Sequence, residues 1–264
     1  MSEDTATIYE TIRLRFEDGI AILKLNRPDK MNALNVQMRA EMADAIRRAG
    51  ERARVLVITG KGRGFCSGQD LGDRTGAAEI DLEQVLQKEY GPLIRGIHDA
   101  PIPVIAAVNG PAAGAGANIA LACDVVIAAE SAYFMQVFSR IGLIPDAGGT
   151  YFLPRSVGLA RAMGLALFGD KLPARKAAEW GLIWEAVPDE EFDAVWRARA
   201  RQLAEGPTQA YKRIRQALRA SFDNDFETQY AFESRLQGEA GRTRDFKESV
   251  RAFLEKRKPR HEGR

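Results

Sequence analysis

The chain has 264 residues, 45% of them hydrophobic and 28% charged, with a formal net charge of +2. This apolar fraction is ample for a buried core in one large domain or two small ones, and the interspersed charges argue against a nucleic-acid surface. Two cysteines, Cys66 and Cys123, are too few for a disulfide framework and lack metal-site spacing. No apolar run reaches membrane-spanning length, and Met1–Thr5 is polar. We therefore expect a cytoplasmic protein with no membrane partner.

The N-terminal third predicts a hairpin, a helix and a buried strand. Residues 9–15 and 19–25 alternate apolar and polar side chains around a turn, as hairpin strands do. Apolar residues at helical spacing predict a helix over 36–49, with Asn35 as a possible cap. The continuous apolar run 55–59 predicts a strand that is buried on both faces.

The middle of the chain alternates helices with apolar strands. Strands are predicted at 104–108 and 125–128, and helices over 82–97, with a kink at Gly91-Pro92, and over 114–122. This alternation indicates an α/β fold with a parallel sheet covered on its faces. In such sheets ligands bind beyond the carboxyl ends of the strands.

The C-terminal part is predicted to be mainly helical. Helices near 158–168 and over 173–180 precede a strand at 182–187, and from residue 189 onward the pattern is helical. Its breaks fall near 206–207, 223–224 and 241–242. We expect an α/β core over residues 1–195. The helical region 196–264 should pack on that core or reach a neighbouring subunit.

Two glycine-rich stretches and one carboxylate are the candidate functional features. Residues 64–70 and 109–118 each follow a predicted strand, which suits a close approach of backbone to a ligand. Asp146 lies in an apolar run that ends at Gly148-Gly149. The hypothesis is one acid that works beside two backbone amides, although Asp146 could equally cap a short helix.

Other features favour structural interpretations or exclude functions. Asp70 and Asn118 are more typical of turn and helix-cap residues, and Cys66 of a packed small residue. The chain lacks both GxGxxG and GxxxxGK[ST] patterns, so no nucleotide cofactor is indicated. His98 and His261 lie near no candidate nucleophile, which disfavours a Ser-His-Asp or Cys-His mechanism.

Five ordered motifs carry a family resemblance over nearly the whole chain. They occupy residues 25–34, 64–71, 107–110, 142–149 and 253–257. Together they resemble the enoyl-CoA hydratase/isomerase (crotonase) superfamily. The resemblance implies a spiral of ββα units followed by a C-terminal helical region, assembled as a trimer or a dimer of trimers. It also implies an acyl-CoA thioester substrate, with CoA as part of the substrate and no separate cofactor or metal.

The resemblance also implies an oxyanion hole of two backbone amides that bind the thioester oxygen. The first donor maps to Gln69, and the second to Ala115 with Gly114 as the neighbouring possibility. Amides that act only as negative charge develops can lower a barrier by several kcal/mol.

Departures from the family pattern bear on the reaction. The two glutamates of the hydratases fall on Asn118 and Phe138, neither of which is an acid. The acid stands instead at Asp146, where certain isomerases and aromatic-CoA dehalogenases place theirs. One carboxylate can take a proton from one carbon and return it to another. Apolar burial should raise the pKa of Asp146 toward neutrality, against a helix N-terminus that would lower it.

A narrower pattern, which includes Asp73 with Arg74, resembles the phenylacetate-pathway isomerase branch of the superfamily. That branch converts ring-1,2-epoxyphenylacetyl-CoA to oxepin-CoA, and related members shift enoyl-CoA double bonds. The alternatives are an enoyl-CoA hydratase, an aromatic-CoA dehalogenase and a non-catalytic member that binds CoA.

The CoA contacts that the resemblance implies come from two parts of the chain. Those around the adenine and pantetheine map to Lys30, Ser67, Gly68, Asp70 and Leu71. Lys256 or Arg257 would lie near the phosphates, unless the basic C-terminus is simply a solvated tail.

Overall fold

The computed structural model describes residues 9–72 and 81–264. Asp73 and Arg74 of the narrower pattern, like the polar segment Met1–Thr5, lie outside the described residues. The strands in chain order are β1 (Ile12–Glu17), β2 (Ile20–Leu25), β3 (Val55–Gly60), β4 (Val104–Val108), β5 (Ala112–Ala113), β6 (Val125–Ala129), β7 (Tyr133–Met135), β8 (Lys171–Pro173) and β9 (Glu185–Val187).

Ten α-helices connect and follow these strands in the described part of the chain. They are α1 (Val36–Arg52), α2 (Leu82–Val85), α3 (Gly91–His98), α4 (Ala115–Ala122), α5 (Gly149–Phe168), α6 (Ala174–Glu179), α7 (Phe192–Ala204), α8 (Thr208–Ala220), α9 (Phe226–Gly241) and α10 (Arg244–Leu254). Short 3-10 helices cover Pro28–Lys30 and Val137–Ile141, and a π-helical turn covers Leu86–Tyr90.

The strands form two sheets, and the predicted α/β class is confirmed. The main sheet has the order β1-β2-β3-β4-β6-β9, in which only the β1–β2 hairpin is antiparallel. A smaller sheet of order β5-β7-β8 lies beside it. Together these are the crotonase-like spiral of ββα units with a helical C-terminal region that the resemblance implies. Parallel strands place the loops after β3 and β4 at one sheet edge.

Helices cover both faces of the main sheet, which is why the apolar strands lack a polar face. Residues of α1 and α4 share one core cluster with Leu23, Leu56 and Ala106. The other face packs Trp196 and its α7 neighbours against Val57. Strands β3 and β4 are buried along their entire length, as their sequences predict.

Several predicted boundaries were wrong. Helix α5 begins at Gly149, nine residues before the predicted 158, because Pro154 and a non-helical Gly158 (φ 76°) interrupt the apolar periodicity there. Strand β9 pairs only over three residues. The predicted kink at Gly91-Pro92 takes the form of the π-helical turn that precedes it. The division expected after residue 195 stays a prediction, and that position lies inside α7, whose apolar face packs on the main sheet.

Partly buried ion pairs hold the C-terminal helices against the core. From α8, Arg215 and Arg219 both pair with Asp124, at 2.7 and 2.8 Å, and donate to carbonyls at the end of α3. The chain end turns back, so that Asp245 accepts hydrogen bonds from the amides of Glu262 and Gly263. Within the described ranges, none of the helices has the length and hydropathy needed to cross a bilayer.

Candidate active site

Two glycine-rich loops run side by side at the carboxyl edge of the main sheet. The Ala113 amide donates to the Cys66 carbonyl at 2.9 Å, and a Cβ built on Gly68 would lie 3.5 Å from the Ala115 nitrogen. On its other side the first loop pairs with Leu34, whose amide donates to Gly68 and whose carbonyl accepts from Asp70. Because strand backbone alternates direction, the N–H of the residue between them, Gln69, points away from Leu34.

The amides of Gln69 and Ala115 have no acceptor among the residues that the structure describes. Ala115 opens α4, where the first N–H groups have no partner within the helix. The amide of Gly114 instead donates to the Met135 carbonyl at 2.8 Å, so Gly114 is already engaged. Of the two neighbouring candidates, only Ala115 therefore offers its N–H to a ligand.

Gly114 produces this arrangement through its backbone conformation. Its dihedral angles, φ 53° and ψ −130°, are accessible to glycine and strained for other residues. The turn directs the next N–H, that of Ala115, outward from the start of a helix, where the helix dipole favours negative charge.

One carboxylate oxygen of Asp146 lacks a hydrogen-bond donor in the part of the chain that the structure describes. Its Oδ1 atom is buried and has no partner within the described ranges, and burial raises the pKa of this carboxyl to about 6. The predicted rise in pKa is confirmed. The helix-cap interpretation is wrong, because α5 is preceded by Gly148 and has no side-chain cap.

The backbone, rather than the carboxylate, holds Asp146 in place. Asn118 Nδ2 donates to the Asp146 carbonyl at 2.8 Å, and Asn118 Oδ1 accepts from Gln136 Nε2 at 2.8 Å. A Cβ built on Gly149 would lie 2.3 Å from Asn118 Nδ2, so the close approach requires glycine. Asn118 is thus a buried residue inside α4 whose side chain links the Asp146 backbone to Gln136. Its interpretation as a helix cap is wrong.

Local backbone strain accompanies the acid. Ala147, directly after Asp146, has φ 47° in the left-handed region, and Gly148 follows with φ 82°. A left-handed alanine costs of order 1 kcal/mol or more and persists where its surroundings enforce it. Such strain is often concentrated at functional loops.

The two positions to which the family resemblance maps the hydratase glutamates lie beside these groups but supply no acid. Asn118 is fully buried and makes the hydrogen bonds described above. Phe138 is also buried, and its ring lies 3.8 Å from a Cβ built on Gly114. Two outward amides and one carboxyl of raised pKa can bind a carbonyl oxygen and move a proton beside it.

A second polar group around Gln69 was missed by the sequence analysis. Gln69 Oε1 accepts hydrogen bonds from the Tyr90 hydroxyl at 2.5 Å and from Arg39 at 3.0 Å. Arg39 is fully buried, and it also bonds Glu89. The helical pattern of α1 carries no signal for a buried arginine, although Tyr90 stands directly before the Gly91-Pro92 break.

The predicted CoA-binding residues of the two loops do come together. Ser67 Oγ lies 3.4 Å from the Lys30 carbonyl, and Leu71 is 74% exposed in the same region. Asp70 pairs with Arg27 at 2.8 Å and accepts the Gly72 amide at 3.1 Å, which makes it a turn residue as well. Partial burial raises the pKa of Asp70, but the hydrogen bonds and the charge of Arg27 lower it, and the net result is a lowered pKa.

Lys256 and Arg257 are not brought to these loops within one chain. Arg257 pairs with Glu248 at 2.6 Å and lines a polar cavity with Gly19 and Arg54, at the starts of β2 and β3. Lys30 and Ser67 lie beyond the other ends of those strands. Lys256, Arg257 and Lys258 are exposed, and Arg257 also pairs with Glu248, so the interpretation as a solvated tail stays a prediction beside the CoA contact.

Cysteine and metal chemistry receive little support from the described residues. Cys66 is fully buried in the core, and burial raises the pKa of its thiol to about 12, so its prediction as a packed small residue is confirmed. In the part of the chain that the structure covers, no three His, Cys, Asp or Glu side chains are grouped to hold a metal.

Comparisons with known proteins agree with this geometry. Residues 15–264 match the family model described as "Enoyl-CoA hydratase/isomerase". A protein of Rhodobacter capsulatus named "Probable enoyl-CoA hydratase" is 59% identical over 97% of this chain and 99% of its own length. The "1,2-epoxyphenylacetyl-CoA isomerase" of Escherichia coli is 47% identical over 97% of this chain and all of its own length.

Solved structures are similar over the same extent. A crystal structure of an enoyl-CoA hydratase from Bacillus anthracis has a TM-score of 0.92 at 31% identity, covering 97% of this chain and all of that one. A structure from Geobacillus kaustophilus has a TM-score of 0.91 at 33% identity, covering 98% of this chain and all of that one.

Proposed function

Because this chain belongs to the enoyl-CoA hydratase/isomerase family, we propose that it is an acyl-CoA isomerase with Asp146 as its single acid and base. One observation carries the proposal. The Oδ1 atom of Asp146 is buried without a hydrogen-bond donor among the described residues, and the family resemblance maps the two hydratase glutamates to Asn118 and Phe138, which are not acids. A hydratase of the usual type uses two acids, whereas isomerisation needs one group that takes and returns a proton.

The amides of Gln69 and Ala115 would bind the thioester oxygen. As a proton leaves the acyl group, negative charge moves onto this oxygen, and two fixed N–H donors stabilise it as an enolate. Because the donors already point outward, little reorganisation is needed when the charge develops.

Asp146 would transfer the proton. Its pKa of about 6 leaves it ionised at neutral pH, so it can take a proton from a carbon of the acyl group. The resulting carboxylic acid returns that proton to another carbon of the delocalised enolate. No atom is gained or lost, so product and substrate have the same mass.

The substrate that we propose is ring-1,2-epoxyphenylacetyl-CoA, which would be converted to oxepin-CoA in phenylacetate degradation. The ring C–C bond between the two epoxide carbons would break to give the seven-membered ring, and Asp146 would move a proton from the acyl carbon next to the thioester to a ring carbon, so that no atom is gained or lost. The 47% identity to the E. coli isomerase over nearly the full chain supports this choice, and a shift of enoyl-CoA double bonds is a related activity. Enoyl-CoA hydration is the second candidate, favoured by the name of the R. capsulatus relative.

Product mass separates these candidates. The protein is incubated with ring-epoxide, enoyl and saturated acyl-CoA thioesters, and products are followed by chromatography and mass spectrometry. Isomerisation gives a new retention time at unchanged mass. A product heavier by one water would show hydration instead, and turnover of none of these thioesters would support a non-catalytic CoA-binding member.

We also propose that the protein assembles as a homotrimer or a dimer of trimers. Support comes from large apolar side chains that one chain leaves exposed on its C-terminal helices, such as Leu218 at 65% and Phe253 at 83%. In such an assembly Lys256 or Arg257 would act on the CoA of a neighbouring chain. Light scattering coupled to gel filtration tests this, and a monomer mass would contradict it.

A further inference from the structure

The side chain of Gln69 is fixed in one orientation. Its Oε1 atom accepts hydrogen bonds from Tyr90 Oη at 2.5 Å and from Arg39 Nη1 at 3.0 Å. A guanidinium can only donate, so the atom that faces Arg39 must be the amide oxygen. The NH2 group of Gln69 therefore points to the other side of the amide.

Both donors that fix Gln69 are themselves held. Arg39 is fully buried, donates to the Leu34 carbonyl at 2.8 Å and pairs with Glu89 at 2.5 Å. Its guanidinium lies 5.0 Å from the centre of the Tyr90 ring. Rotation of the Gln69 amide would leave this buried arginine facing another donor, with both donors unsatisfied.

The NH2 group of Gln69 makes no hydrogen bond to the described residues. Gln69 Nε2 donates to no other described residue, yet it is not among the buried polar atoms without a partner, so it retains solvent access. Two N–H donors of a partly buried residue thus remain available to a ligand. An amide nitrogen cannot accept, so the complementary ligand atom is an acceptor oxygen.

This donor belongs to a residue that also presents a backbone amide at the candidate site. The Gln69 backbone N–H is one of the two outward amides, and Tyr90 is close enough to Asp146 to be affected by its charge. Burial above all, with this negative charge, raises the pKa of the Tyr90 hydroxyl. That hydroxyl is protonated at neutral pH and donates to Gln69.

We propose that the Gln69 NH2 group binds an oxygen atom carried on the acyl group itself, such as a ring epoxide or hydroxyl oxygen. Gln69 would then have two roles, with its backbone N–H on the thioester oxygen and its side chain selecting oxygenated acyl groups. Arg39 and Tyr90 are positioning residues for this contact. A site built to bond an oxygen discriminates against acyl groups that lack it, because its donor is then left unpaired. The inference rests on the proposed function for its substrate class.

Binding measurements test the inference without requiring turnover. Calorimetry compares phenylacetyl-CoA with its ring-2-hydroxy derivative on the wild-type protein and on Gln69→Met, which keeps the backbone N–H. We expect the wild type to prefer the hydroxylated thioester by about tenfold, the order of one net hydrogen bond, and Gln69→Met to show a ratio near one. The ratio isolates the side chain, because a displaced loop would weaken both thioesters together.

Two outcomes would overturn the inference. One is a wild-type ratio near one, which requires no variant and so holds even if Gln69→Met does not fold. The other is an unchanged ratio in a folded Gln69→Met protein, as checked by circular dichroism. Failure of the proposed function is a different result: the hydroxylated thioester would bind with the expected preference while no acyl-CoA is isomerised.

Discussion

Asp124 and Asp146 are both partly buried, but they differ in how their carboxylates are hydrogen-bonded. At the junction of α8 with the main sheet, Asp124 accepts hydrogen bonds from the Val104 amide at 2.7 Å and from Arg215 and Arg219. Asp146 has a buried oxygen with no donor in the described part of the chain and stands beside a left-handed alanine.

The difference separates a carboxylate used for structure from one available for chemistry. Two arginines that pair with a partly buried carboxylate compensate its charge and hold two elements together. Leaving it unsatisfied costs stability and raises its pKa into the range where it can exchange protons.

Replacing Asp146 by Asn should abolish isomerisation with little effect on binding. The amide has nearly the same shape but cannot take a proton, so we expect kcat to fall by roughly 10²–10⁴-fold. Calorimetry with a CoA thioester should give a dissociation constant within about threefold of the wild type. If Asp146→Asn keeps full turnover on every acyl-CoA that the wild type isomerises, the role of Asp146 as acid and base is wrong.

The pH profile should show the titration of Asp146. Its folded-state pKa is raised to about 6, and the active base is the ionised form. We expect kcat/KM to be level above that value and to fall about tenfold per pH unit below it. A profile that stays level down to about pH 4.5, under conditions where the protein remains folded, would contradict this.

Replacing Asp124 by Ala should affect stability rather than chemistry. The change leaves Arg215 and Arg219 without their carboxylate partner, and we expect a loss of roughly 2–4 kcal/mol in the free energy of unfolding. Urea denaturation measures it. The matched control is Asp170→Ala, since the exposed pair of Asp170 with Arg140 should contribute under about 1 kcal/mol. The pH limb of catalysis should not move in either variant.

Gly149→Ala tests the hydrogen bond from Asn118 Nδ2 to the Asp146 carbonyl. Its Cβ would lie 2.3 Å from Asn118 Nδ2 and would push Asn118 off the Asp146 carbonyl, so we expect about 1–3 kcal/mol of destabilisation and reduced kcat. In the same helix, a Cβ built on Gly164 would have no atom within 4 Å. Gly164→Ala is therefore the matched control and should be neutral or stabilising by up to about 1 kcal/mol. Equal stability and equal kcat in the two variants would show that the hydrogen bond from Asn118 to Asp146 does not position the acid.

Local patterns predicted much of the fold. Hydrophobic periodicity located the hairpin, the buried strands β3 and β4 and the helix α1 with its Asn35 cap, because these depend on neighbours in sequence. The start of α5 was missed, since Pro154 and Gly158 break its periodicity. The spiral itself came from the family resemblance rather than from periodicity.

The site was predictable only in part. Its glycine loops and Asp146 could be read from motifs. The ties through Asn118 and Gln136, and the cluster around Gln69, join residues 18 to 50 positions apart. No local pattern encodes which buried polar groups meet over such separations. The choice of Ala115 over Gly114 as the available donor likewise depends on a distant residue, because the Gly114 amide donates to the Met135 carbonyl in β7.

The most direct measurement is the free energy of unfolding of Asp146→Asn against the wild type, by urea denaturation at fixed protein concentration, at about pH 8 and about pH 4. A carboxyl whose pKa rises from about 3.9 to about 6 on folding costs stability when ionised, fully above the folded pKa and not at all below the unfolded one. Asparagine avoids that cost. We predict that the variant is more stable by about 1–3 kcal/mol at pH 8 and that the difference closes toward pH 4. A variant that is less stable than the wild type at pH 8 would show that Asp146, like Asp124, is a structural carboxylate.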